Sequence, residues 1–240
     1  LNLVNLVASE QNGTEAFHLF DGQFYSYADA SADLNAIWQQ MHKDISAASY
    51  PTQWNLNTPR GIELDQMSIT DWINAYVPGG SSSKLGQLLD IAYNIEYGAE
   101  CSQQSSLNML YLLGYIGPGQ FRTFGKSNEK FHVRGGNDQV ATALAALVAS
   151  RITTGSELVA IKLNSGGSYT LTFRQGSATR TVTADRVILT LPFSLLREVD
   201  YSRAGFNEKK QTAIRELGMG TNSKLHLQFS KRFWRDLGLN

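Results

Sequence analysis

The feature that most constrains this chain is a change of hydrophobic period near Glu157. Before that point apolar residues recur every three or four positions; after it they alternate. A chain carrying the two periods in separate blocks folds as α+β, with helices segregated from an antiparallel sheet. In the first block the spacing predicts a helix over Ser31–Ala48, with Leu34, Ile37, Trp38, Met41 and Ile45 on one stripe. Ser68 reads as the N-cap of a short helix, with Asp71 near its positive end and Trp72, Ile73, Tyr76 and Val77 on its buried side. From Lys84 the residues Leu85, Leu88, Leu89, Ala92, Tyr93 and Ile95 are apolar nearly all round, which predicts a buried helix ending at Glu96-Tyr97-Gly98. A partner helix is expected over Ser102–Leu113, and another over Asp138–Ser150 with Asn137 as its cap. Tyr50–Gly61 and Gly117–Phe131 read as loops, Pro78–Ser83 as a turn, and Phe20–Tyr25 as a short hairpin around Asp21-Gly22.

In the second block Leu158–Ile161, then Tyr169, Leu171 and Phe173, then Thr179–Thr183 form strands. The turns Asn164–Gly167 and Gln175–Ser177 make them a three-stranded meander. Val187–Leu191 is apolar on both faces, so it is expected to be a buried strand of a larger sheet, ended by Pro192. A last helix, Asn207–Leu217, places Gly218 where a left-handed residue is expected. A strand should follow, with Leu225, Leu227 and Phe229 on one face and Lys224, His226 and Gln228 on the other. Gly218–Ser223 superficially fits a glycine-rich phosphate loop, but it follows a helix and opens a strand, the reverse of what such a loop requires.

Net charge is zero but unevenly spread: residues 1–100 hold 12 acids and 3 bases, residues 101–240 hold 9 and 18. No basic run is dense enough to suggest nucleic acid. An acidic half favours approach of a cationic amine, although at cellular salt such steering fades beyond about 8 Å. No run has the length of a membrane span. The single cysteine, Cys101, excludes an intrachain disulfide and reads as a small buried filler; His132 has no second histidine at metal spacing, so no metal site is expected. No compartment is assigned. The chain opens at Leu1 with neither Met nor a secretory signal and reads as a fragment or a processed product. Lys224 is either a solvated strand lysine or a functional one, and Glu96 either pairs with a base or a backbone amide or lines a substrate cavity. Arg60, Arg122 and Arg134 lie in expected loops from which one could reach a substrate carboxylate.

Four stretches carry a resemblance. They are Ala213–Phe229, "AI-x-x-L-G-x-G-T-x-x-K-x-x-L-x-F", followed by Phe233-Trp234; Leu88–Tyr115, with its E-Y-G and Q-S-S-L-N pieces; "GGN-D-Q" from Gly135; and "A-D-R-V-I-L-T-L-P" from Ala184 to Pro192. Together they resemble the flavin-containing amine oxidases, which include monoamine, polyamine and L-amino-acid oxidases. The resemblance implies that residues 1–134 are the helical part of a substrate domain and 135–196 an inserted part of an FAD-binding domain. Residues 197–240 would return to the substrate domain on a strand carrying Lys224. It implies that Lys224 stands beside the flavin ring, holding a water and assisting the oxygen step, and that Leu158, Val159, Pro192 and Trp234 contact FAD. The adenine end would meet backbone near Leu158. The family's dinucleotide fingerprint would precede Leu1 and its closing segment would follow Asn240, so this chain alone should hold FAD weakly or not at all. The implied reaction oxidises an amine or L-amino acid to an imine and reduces O₂ to hydrogen peroxide, in a protein that could be a homodimer. The alternatives are a non-catalytic binding module derived from the family, or another oxidase or desaturase of the superfamily that lacks the lysine.

Overall fold

The structure, a computed structural model, describes residues 1–6, 16–18, 22, 24–119, 121–127 and 129–237. It divides the chain into two units: residues 2–134 with 220–240, and residues 135–219 with Leu1. The chain leaves the first unit, makes the second, and comes back.

The first unit is helical. Three short strands, β1 (Leu3–Asn5), β2 (Ala16–His18) and β3 (Phe24–Ser26), precede helices α1 (Tyr27–Ala48), α2 (Pro59–Gln66), α3 (Ile69–Tyr76), α4 (Lys84–Tyr97) and α5 (Ser106–Leu113), and β4 (Phe131–Val133) follows. β2 and β3 pair antiparallel across the expected hairpin, where Gly22 is left-handed; Asp21 lies outside the described residues. β1 pairs antiparallel with β4. Serines and threonines start the helices by accepting orphan backbone N–H groups: Ser26 for α1, Thr58 for α2, Ser68 for α3 and Ser83 for α4. α1 therefore begins four residues earlier than the apolar stripe suggests. α2 was expected to be loop; Thr58-Pro59 is a cap followed by the residue that best tolerates the first helical position. The core is a single cluster in which Leu34, Ile37, Met41, Leu64, Trp72, Ile73, Leu89, Tyr93, Met109 and Leu110 are all fully buried.

The second unit holds α6 (Asp138–Leu147), β5 (Glu157–Leu163), β6 (Tyr169–Gln175), β7 (Ala178–Ala184), α7 (Phe193–Leu196), β8 (Asp200–Arg203) and α8 (Glu208–Glu216). The meander β5–β6–β7 forms with the expected turns, and β8 adds to the other edge of β5 in parallel, giving the order β7-β6-β5-β8. That fourth strand was not legible from periodicity.

Three further expectations fail. Val187–Leu191 is not a strand: β8 occupies the free edge of β5, so the run packs Val187 and Leu189 on the unit's core and leaves Ile188 89% exposed. Gly218 is not left-handed, because α8 ends differently. Arg197 donates to the Ile214 and Leu217 carbonyls, each at 2.5 Å, and so satisfies groups that a glycine cap would otherwise serve. Lys224–Phe229 pairs with no strand among the described residues; Leu225 is 84% exposed, so its alternation finds no sheet to face.

Candidate functional site

Two separate sequence motifs meet at the C-terminal end of α4. The helix ends at Tyr97 with Gly98 left-handed, its N–H donating to the Asn94 carbonyl. Against this end lies Gly220-Thr221-Asn222. The Thr221 N–H donates to the Gly98 carbonyl at 2.9 Å, and Asn222 Nδ2 donates to the Ile95 carbonyl at 2.5 Å. The Thr221 hydroxyl reaches the same Gly98 oxygen at 3.3 Å. Both glycines are required by space, and Gly98 by its left-handed backbone as well. A Cβ on Gly98 would stand 2.8 Å from Gly220 Cα, and one on Gly220 would stand 2.7 Å from the Tyr97 oxygen. The two backbones touch because neither residue has a side chain.

Lys224 follows two residues after this junction, exposed, as are Glu96 on α4 and His226 and Gln228 beyond. Trp234 closes the far side of the segment. It forms an edge-to-face cluster with Phe229 and Phe233, with ring centroids 5.2 to 6.2 Å apart. Leu158, Val159 and Pro192 belong to the other unit. The β5–β6 register shifts between Leu158 and Ala160, so Val159 has no register partner on β6 or β8. Such a bulge frees backbone groups from the ladder, which fits a backbone contact to a bound molecule. Pro192 starts α7, its carbonyl accepting from Leu195 and Leu196.

Of the three arginines, Arg60 is not in a loop but in the first turn of α2. Its Nε and one terminal nitrogen both donate to Asp44 Oδ1, at 3.0 and 2.8 Å, while Trp72 Nε1 donates to Oδ2 at 2.9 Å. Burial works against the Arg60 charge, but hydrogen bonds to Glu63, Tyr76 and Asp44 outweigh it and push its pKa up. Arg60 is thus already committed to a carboxylate of its own chain. Burial likewise pushes the Cys101 thiol up to about 12, helped by Asp90, whose carbonyl accepts from it.

Sequence reasoning missed an open cavity of about 360 Å³ in the helical unit, walled by Tyr50, Tyr111, Tyr115 and Phe124, with Lys126 at its edge. Tyr50 meets Tyr111 and Tyr115 edge-on at 4.9 and 5.5 Å. Tyr111 and Tyr115 stand four residues apart at α5 and the turn after it, but Tyr50 comes from a distant loop, so no local spacing could have grouped all three. No helix among the described residues is long and apolar enough to cross a membrane.

Comparison with known proteins agrees with the motifs. A family model described as flavin containing amine oxidoreductase matches residues 11–240. A flavin-dependent L-tryptophan oxidase, RebO, of Lentzea aerocolonigenes is 29% identical over 45% of this chain and 22% of its own length. A putative L-amino-acid oxidase, YobN, of Bacillus subtilis (strain 168) is 27% identical over 71% of this chain and 33% of its own. An L-amino acid dehydrogenase of Synechocystis is 24% identical over 92% of this chain and 47% of its own. The chain spans less than half the length of each of these curated relatives. With nearly all of its residues matched, the chain belongs to the flavin-containing amine oxidoreductase family.

Proposed function

We propose that this chain is the central part of an FAD-dependent oxidase of L-amino acids, with residues 1–134 and 220–240 forming the substrate side. The observation that carries the reading is the junction of Glu96-Tyr97-Gly98 with Gly220-Thr221-Asn222, which fixes the start of the Lys224 segment. The names of the three relatives support amino acids over simple amines. When bound, FAD supplies the ring that takes hydride from the carbon next to nitrogen and passes the electrons to O₂.

The chain's own residues position groups and move protons. Lys224 Nζ, with three donors and no acceptor, holds a water beside the reacting ring and supplies a proton to reduced oxygen. In the sheet unit Leu158, Val159 and Pro192 would help hold FAD, Val159 through the backbone at its bulge; in the helical unit Trp234 would. Arg60 is held by Asp44; Arg122, which donates to the Lys126 carbonyl, and Arg134 are the other candidates for the substrate carboxylate. A second reading has the electrons leave to an acceptor other than O₂. It is favoured by the relative matched over 92% of this chain, which is called a dehydrogenase.

The test is a panel of L-amino acids with the complete flavoprotein, following peroxide release against reduction of an artificial acceptor. Lys224→Met should then slow flavin reoxidation by O₂ at least about tenfold while reduction by substrate changes little. A colourless protein without flavin absorbance returns the chain to a binding module. Unchanged reoxidation in a folded Lys224→Met enzyme removes the lysine's role.

A further inference from the structure

We propose that Asn222 is a positioning residue: its side-chain amide, locked onto the last turn of α4, sets where Lys224 stands. The inference rests on the reading of Lys224 above. The last carbonyls of a helix have no donor within the helix. In α4, Ile95 and Gly98 receive theirs from Asn222 Nδ2 and the Thr221 N–H, across 127 and 123 residues of chain. Asn222 Oδ1 folds back over Gly98, 2.6 Å from where a Cβ would lie, so glycine at 98 is what lets the amide reach Ile95. Lys224 is two residues further, about 7 Å of extended chain at most. No ladder holds residues 224–229 among the described residues, and the next fixed point is the Phe229–Phe233–Trp234 cluster. The amide of Asn222 is therefore the side-chain anchor nearest to Lys224 on its N-terminal side. A catalytic group misplaced by about 1 Å can cost on the order of a hundredfold in rate.

The test has two arms, both on the complete flavoprotein. The first is hydrogen exchange of the Thr221 N–H, which donates to the Gly98 carbonyl. Asn222→Ala, and Asn222→Asp with the same shape but no donor, should both raise its exchange at least about tenfold. Peptides from α1 and α3 should stay as in the wild type. The second arm separates the half-reactions. Both variants should slow reoxidation at least about tenfold with reduction within about twofold, and adding Lys224→Met should bring no further loss, because the two act as one unit. Wild-type exchange in Asn222→Asp overturns the anchor. Normal reoxidation in Asn222→Ala, where Lys224→Met is slow, overturns the positioning role. If Lys224→Met itself has no effect, the functional reading falls and the catalytic purpose of Asn222 falls with it. The exchange arm still decides, separately, whether the amide holds the segment.

Discussion

The two units close their cores to different degrees. In the helical unit, α1 to α5 wrap Trp72, Tyr93, Met41 and Leu110 until none is exposed, and the buried Asp44 carboxylate accepts from both Arg60 and Trp72. In the sheet unit, Ile161, Leu171, Leu196, Val199, Ala204 and Ile214 are buried, but α6 turns Val140, Leu144 and Leu147 outward, with Leu147 81% exposed. Ile188 is exposed as well. One set of residues is organised to satisfy itself; the other presents faces of the kind that in folded proteins meet another surface.

The largest expected effect breaks the closed side. Asp44→Ala leaves the buried Trp72 N–H without its acceptor and takes one of several partners from Arg60, and should cost about 1–3 kcal/mol. Urea denaturation measures it, and a loss below about 1 kcal/mol would show that the helical core does not depend on the pair.

A smaller effect comes from the same core through pH. Folded Cys101 keeps its proton up to about 12, whereas the unfolded thiol loses it near its ordinary value of 9.0. Between those values the unfolded state binds fewer protons, so stability is full below 9 and falls as pH rises toward 12. Burial raises Tyr93 as well, which deepens the fall. Unfolding free energy measured from pH 8 to 11 should drop less steeply in Cys101→Ala; parallel curves would count against a sealed thiol.

The smallest effect sharpens the open side. Leu147→Glu should change stability by no more than about 0.5 kcal/mol in this chain. It should also lower binding of a hydrophobic dye. A loss of several kcal/mol would mean that α6 is already covered.

The same contrast governs what the sequence made legible. Helices α1, α3 and α4 and the meander announce themselves through local period, serine caps and glycine turns, all written within a few residues. The strands expected at 187–191, apolar on both faces, and at 224–229, alternating, have the right patterns, but a strand also needs a neighbour, and a pattern carries no information about that. β8 was missed for the converse reason: four residues of mixed polarity become a strand only because β5 lies alongside. At the candidate site, Lys224 and the E-Y-G piece were each visible. Their meeting through Gly98 and Gly220 was not, since it depends on two residues defined by what they lack.

That meeting also orders events in time. Gly98 leaves the ribosome 123 residues before Thr221, which at cellular elongation rates is roughly 6–25 s. Throughout that interval the Ile95 and Gly98 carbonyls have only water to bond, while the whole sheet unit is being synthesised between them and their donors. The nascent chain therefore carries a frayed end on α4 that its own last stretch repairs. A ribosome stalled before Thr221 would hold a helical unit whose interior is complete but whose Lys224 arm does not yet exist.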